Sequence, residues 1–311
     1  MKRRPSVAAI FILIVGLVAG RADAAAPEHS CEAGLTGDQR ITILDEGTGP
    51  DVVLIPGLST PRAVWVPTAA RLKGRYRLHL VQIRGFGDEA GINASGPVLE
   101  PMMGEVANYI EDCITGRGRP APAIIGHSMG GLTGLMIAAR RPGDVGRLLI
   151  VDAVPFIGTL FDPAATAASV KPQAAQIAAM MRAQHGQPKL EGPIADPGPG
   201  GMTGRMSNTP AGRIAIAGWM RQADMRVTAQ VFHDVMITDL RPELARVTAP
   251  VTLLYAQDEG ALTAEQASAA FESQYAGVAK FLPQMVRGSR HFIMLDQPDA
   301  FAAAVDTFLA G

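Results

Sequence analysis

From residue 41 onward, short apolar runs alternate with longer segments whose apolar positions recur at helical spacing. Ile41-Thr42-Ile43-Leu44 reads as a strand, closed by the turn-forming stretch Asp45-Glu46-Gly47-Thr48-Gly49-Pro50. Asp51-Val52-Val53-Leu54-Ile55 is apolar on both faces and stops at Pro56-Gly57, as a strand buried on two sides should. A helix is expected over Val64 to Leu72, a strand over Tyr76 to Ile83, and a helix over Met103 to Ile114. Then follow a strand at Ala123-Ile124-Ile125, a Gly- and Ala-rich helix from Gly130 to Arg140, and a strand from Arg147 to Val151. Strands that alternate with helices in this way predict a mainly parallel sheet with crossover helices on both faces, an α/β fold.

The rhythm changes between residues 155 and 246. Helical stretches at Ala174 to Met181 and Ile214 to Met236 flank a Gly/Pro-rich segment from Glu191 to Gly204, and no buried strand is expected. The alternation resumes with a strand at Val251 to Tyr255, a helix from Ala264 to Gln274, a strand near Val278 to Val286 and a last helix from Pro298 to Leu309. The expected organisation is an α/β core over residues 35–154 and 247–311, interrupted by a helical cap or lid over residues 155–246.

The first residues have another character. Lys2, Arg3 and Arg4 precede an apolar run from Val7 to Ala19, followed by Ala22-Asp23-Ala24 and Ala24-Ala25-Ala26. A bilayer core takes about 20 residues of helix, which this run does not supply. The pattern is that of a secretory signal over residues 1–24, cut after Ala24 or Ala26, leaving no stable membrane span and an exported, periplasmic or secreted protein. In an oxidising compartment Cys31 and Cys113 can pair, a loop of about 80 residues nominally worth about 4–5 kcal/mol. Sequence alone leaves their contact open.

Composition adds exclusions. With 28 basic and 29 acidic residues the chain is near neutral, so it lacks the basic excess of a nucleic-acid binder. Hydrophobic residues make up 48% of it, too much for a disordered chain.

Chemistry enters at Gly126-His127-Ser128-Met129-Gly130, a G-x-S-x-G motif between a buried strand and a helix. A strand–turn–helix setting projects the serine hydroxyl above the sheet beside the free N–H groups of a helix start, the geometry of a nucleophile elbow. Such a serine needs a base. His29 lies at the processing site, His79 inside a strand, His127 within the turn, and His185 and His233 in the helical insertion. His291, on a loop between the last strand and the final helix, is the candidate base. The carboxylate that orients it is expected to be Asp258, which follows the strand ending at Tyr255, with Glu259 and Asp152 as alternatives. Backbone N–H groups of Leu58 and Met129 are the expected oxyanion donors.

These residues resemble the α/β-hydrolase superfamily. Ser128, Asp258 and His291 stand in its nucleophile–acid–histidine order. Similar too are Leu54-Ile55-Pro56-Gly57-Leu58 with Trp65 downstream, Arg84-Gly85-Phe86-Gly87, and Ser289-Arg290-His291-Phe292 running into Gln297-Pro298. The chain departs from the pattern in having Pro56 where many members carry histidine, and Phe86 likewise. The resemblance implies the α/β-hydrolase fold and an acyl-enzyme mechanism on a small ester-like molecule, with no metal or cofactor required. Lactone, thioester or carbon–carbon hydrolysis and cofactor-free perhydrolysis use the same residues, and a non-catalytic binding protein is the reading from another class. Phe156, Trp219 and Phe232, with Met180, Met181, Met202, Met206, Met220 and Met225, are candidates for an apolar substrate wall.

Overall fold

Every residue of Asp51–Ile55 is buried, and this segment is a strand with neighbours on both sides. The computed structural model of the chain describes residues 39–188, 191–258 and 263–311. Residues 1–24, read from the sequence as a signal, fall outside the described residues, as do Cys31 and Glu259.

Among the described residues seven strands form one sheet: β1 (Ile41–Gly47), β2 (Asp51–Ile55), β3 (Arg77–Ile83), β4 (Ala123–His127), β5 (Arg147–Val151), β6 (Val251–Gln257) and β7 (Phe281–Arg287). Their order is β1-β3-β2-β4-β5-β6-β7, with only β1 antiparallel to its neighbour. The doubly wound parallel arrangement expected from the alternation is present. β1 runs on through Asp45 and Glu46 to Gly47, because its pairing with β3 continues into what reads locally as a turn.

The helices of the core are α1 (Val66–Leu72), α2 (Leu99–Cys113) and α3 (Met129–Arg140) before the insertion. The insertion holds α4 (Ala167–Arg182), α5 (Met202–Met206), α6 (Pro210–Gln222) and α7 (Met225–Ile237), and the chain ends with α8 (Ala264–Glu272), α9 (Ile293–Asp296) and α10 (Pro298–Ala310). One apolar cluster joins α2 and α3 to one sheet face, and a second packs Trp65, Leu72, Phe292, Phe301 and Phe308 on the other. α3 is buried from Met129 to Ala139, which explains its small residues: Gly134 faces Leu148 and Ile124 where a side chain would collide.

The helix expected from Ile214 to Met236 is two helices. Ala223 is extended, and Asp224 begins α7 with its carboxylate accepting from the Arg226 N–H. The Asp224 N–H donates to the carbonyl of Gly85 at 2.7 Å, so a tertiary bond from the loop after β3 fixes the break.

The edge formed by the starts of the parallel strands carries a buried polar cluster. His79 is fully buried on β3, with Nδ1 2.9 Å from Asp45 and Nε2 2.9 Å from Asp51. Tyr109 donates to Asp45, and Arg119 to Asp51 at 2.8 Å. Burial alone would lower the His79 pKa, but its hydrogen bonds to the two carboxylates outweigh this and raise it above the ordinary 6.5. Nearby, Cys113 at the end of α2 is disulfide-bonded.

Candidate active site

The opposite edge, where the parallel strands end, gathers the candidate residues. β4 runs into Ser128, which has φ 53° and ψ −120°. Only three non-glycine residues among those described have positive φ: Ser59, Ser128 and Asp152, each following a strand at this edge. Such conformations cost of order 1–3 kcal/mol and persist where the surroundings over-determine them. At Ser128 the surroundings are two glycines. A Cβ on Gly126 would lie 2.2 Å from the carbonyl oxygen of Gly130, and one on Gly130 would lie 2.2 Å from that of Ile55. The motif's glycines are therefore demanded by the crossing of strand and helix backbones.

Ser128 occupies the N-cap position of α3, yet its hydroxyl makes no capping hydrogen bond. It is half-buried, and Met129 follows it as the first residue of the helix, where N–H groups have no intrahelical partner. On the facing loop Leu58 is half-buried after the buried Pro56-Gly57, and the chain turns there through a Thr60 N–H bond to the Gly57 carbonyl at 3.2 Å. A Cβ on Gly57 would stand 3.2 Å from the Ser128 Cβ, so the loop carrying Leu58 lies directly against the elbow. Both expected oxyanion donors thus flank Ser128. The next residue, Ser59, shares a buried hydroxyl–hydroxyl hydrogen bond of 2.9 Å with Thr228 of α7, which joins this loop to the helical insertion.

His291 reaches the same place from the loop after β7. That loop is pinned by the Gly288 N–H on the Gln257 carbonyl at 2.8 Å and the Arg290 N–H on Asp296 at 2.9 Å. The His291 ring is 4.7 Å, centroid to centroid, from that of His127, the residue before Ser128.

The carboxylate facing His291 is Asp152, not Asp258. Asp152 Oδ2 lies 2.7 Å from His291 Nδ1, while its Oδ1 accepts the Ala256 N–H at 2.9 Å. The elbow is tied to the same strand end, since the Ser128 N–H donates to the carbonyl of Val151 at 2.9 Å. Asp258 instead accepts from the Arg290 guanidinium at 2.7 Å. The reason lies in strand order: β5 is next to β4, which carries the serine, and β6 is one strand farther away. Asp152 also acts on Tyr275, whose phenol is pushed well above its ordinary pKa by burial and then by this carboxylate.

The apolar candidates divide. Trp219 stands 5.8 Å from Phe292, whose ring is 4.5 Å from His127, so it belongs to the surroundings of the elbow. Phe232 lies half-buried on α7, one turn beyond Thr228. Phe156 does not share that position: it is fully buried beneath the Arg241 guanidinium, 4.8 Å from its ring centre, and packs at the root of the insertion. Met180 and Met202 are exposed, whereas Met206, Met220 and Trp219 pack against the same apolar cluster that holds Phe292. Sequence reasoning missed His127, Ser59 and Thr228, since none carries a local signal of the long-range bond it makes.

Among the described residues no group of three or more His, Cys, Asp or Glu side chains is arranged to hold a metal ion, and no helix is long and apolar enough to cross a membrane.

With fold and site in place, the comparisons with known proteins agree on the class. Residues 52–304 match the alpha/beta hydrolase family, and the chain belongs to it. A pimeloyl-[acyl-carrier protein] methyl ester esterase of Vibrio vulnificus is 32% identical over 111 residues, 35% of this chain and 39% of that protein. The chain thus aligns with about two-fifths of the length of the curated relatives it matches. Among solved structures, a thermophilic esterase from Thermogutta terrifontis aligns with a TM-score of 0.67 at 18% identity, covering 87% of this chain and 93% of the other. An enol-lactonase from Burkholderia xenovorans aligns with a TM-score of 0.64 at 21% identity, covering 87% and 96%. At such identities the likeness is one of fold.

Proposed function

We propose that the protein is a serine hydrolase that cleaves a small ester through an acyl-enzyme. Ser128 attacks the carbonyl carbon while His291 takes the hydroxyl proton, and Asp152 holds the imidazole with its Nδ1 proton toward the carboxylate. The N–H groups of Leu58 and Met129 receive the oxyanion. His291 then delivers the proton to the departing alcohol, and activates a water that releases the acid.

The observation that carries this reading is the 2.7 Å contact between Asp152 Oδ2 and His291 Nδ1, at a strand end bonded to the Ser128 N–H. Residues 155–246 act as the cap, with Trp219, Met206 and Met220 supplying the apolar wall for the acyl or alcohol group. The alignment with a methyl ester esterase, though it covers a minority of both chains, makes methyl esters of medium-length acids the first substrates to try.

The test is hydrolysis of a panel of p-nitrophenyl and methyl esters together with labelling by a fluorophosphonate. Wild-type protein is expected to turn over esters and to be labelled on Ser128. Ser128→Ala should lose both, by at least about 10³-fold in kcat. Labelling at another residue, or equal turnover by the variant, would remove the assignment. Lactones and thioesters in the same panel separate the rival chemistries.

Residues 1–24 are proposed to direct export, with cleavage after Ala24 or Ala26. N-terminal sequencing of protein recovered outside the cytoplasm checks this; an intact Met1 there would refute it.

A further inference from the structure

His127 is fully buried, yet the reaction described above gives it no part. Its two ring nitrogens have opposite surroundings. Nε2 lies 3.0 Å from the main-chain carbonyl oxygen of His291. A carbonyl only accepts, so Nε2 carries the proton and donates. Nδ1 is buried without a hydrogen-bond partner. It faces Gly57, where a Cβ would stand 2.8 Å away. The ring also packs at 4.5 Å on Phe292, the residue after the proposed base.

We infer that His127 is a positioning residue for the proposed reaction: a neutral strut that fixes the backbone of His291 relative to the elbow. The inference rests on the serine-hydrolase reading. The bond connects residue 127 to residue 291, so the nucleophile's own neighbour holds the main chain from which the base projects. Asp152 then fixes the ring of His291 from its far side. The backbone is held by one bond and the side chain by another, which leaves the imidazole little freedom to turn away from Ser128.

Neutrality is part of the role. A cation at this place would lie 4.7 Å, ring to ring, from the imidazole that must itself become positive during acylation. Burial first, and then the proximity of His291, lower the His127 pKa well below its ordinary value, so the donor carries no competing charge. The bare Nδ1 in turn accounts for Gly57: any side chain there would press on the ring and on Ser128 together.

The test compares His127→Phe, which keeps the ring's bulk without a donor, and His127→Gln, whose amide restores a neutral N–H. For His127→Phe kcat should fall about 10- to 100-fold, the scale of a misplacement near 1 Å, with KM within about twofold. His127→Gln should recover most of that loss. In proton spectra the far-downfield resonance of the Asp152–His291 hydrogen bond should be broadened or displaced in the Phe variant and return in the Gln variant. A purely packing role predicts lower stability with that resonance and kcat unchanged, and such a result overturns the inference. So does a Gln variant no better than Phe.

A measurement on unsubstituted protein stands apart from whether the variants fold. Nitrogen-15 spectra of labelled histidine should show His127 as the Nε2–H neutral tautomer from about pH 5 to pH 8, the range in which an ordinary histidine titrates. Titration of that ring, or the other tautomer, would also overturn the proposal. Ser128→Ala keeps the two readings distinct. Activity surviving in that variant defeats the serine-hydrolase reading itself, whereas an inactive Ser128→Ala beside an undisturbed His127→Phe defeats only the strut.

Discussion

Asp152 and Asp258 both follow parallel strands at the same edge, so their different surroundings form a comparison within one molecule. Asp152 offers one oxygen to His291 and anchors the other on the Ala256 N–H. Asp258 is satisfied by a guanidinium. Replacing Asp152 by asparagine puts an amide where the imidazole needs an acceptor, favouring the wrong tautomer; kcat should fall by about 10²–10⁴-fold. Asp258→Asn should stay within a few-fold of wild type, because it weakens an ion pair to the neighbouring Arg290 and leaves the hydrogen bond from Asp152 to His291 in place. Steady-state kinetics of the two purified variants decides the matter, and the reverse ranking would restore Asp258. That Ser128 and His291 lie together at one edge was legible because a local motif and a position along the chain single them out. Between two acids at equivalent strand ends the choice depends on which strands are neighbours, and local pattern does not encode that.

At the scale of elements the strands were the most legible, since buried β2, β4 and β5 are nearly free of polar residues. The break between α6 and α7 was less so, because a single capping residue, Asp224, marks it locally and its hydrogen bond to Gly85 of a distant loop completes it. The polar cluster on β1, β2 and β3 was also hidden, as a histidine within a strand gives no sign of its partners. That cluster has a pH signature. The folded state holds the His79 proton more tightly than an unfolded chain, whose histidine titrates near 6.5. Its contribution is therefore complete below that value and declines as pH rises through the raised folded pKa. Chemical denaturation at a series of pH values above about 6.5 should show unfolding free energy falling for wild type and a shallower fall for His79→Gln. Equal slopes in the two proteins would contradict the assignment of this proton to His79.

Across the whole molecule, the insertion and the core are stitched by bonds of several kinds. The Ser59–Thr228 hydroxyl pair joins the loop carrying Leu58 to α7, and Phe292 donates its N–H to the Met206 carbonyl at 2.9 Å. Asp296 accepts from Ser207 and from the Asn208 N–H. The disulfide at Cys113 belongs to the opposite edge of the sheet, where Arg119 bridges the Cys113 carbonyl and Asp51. Cys113→Ser should cost about 2–5 kcal/mol of stability, read as a lower denaturation midpoint, with kcat at ambient temperature nearly unchanged. A comparable drop in kcat for folded protein would show that this cross-link also shapes the elbow. Its engagement was half legible: two cysteines suggest a bridge, and the structure adds that Cys113 is disulfide-bonded.

The placement of His79, between Asp45 and Asp51 at the starting edge of the strands, separates two properties that often trade against each other. Durability is anchored at one rim of the sheet and turnover is assembled at the other, with the full length of the strands between them. Someone seeking a hardier variant for alkaline use can redesign the Asp45–His79–Asp51 cluster together with Tyr109 and Arg119, which donate to its carboxylates, so that no buried donor is left unpaired, and expect bond-breaking speed to be inherited unaltered.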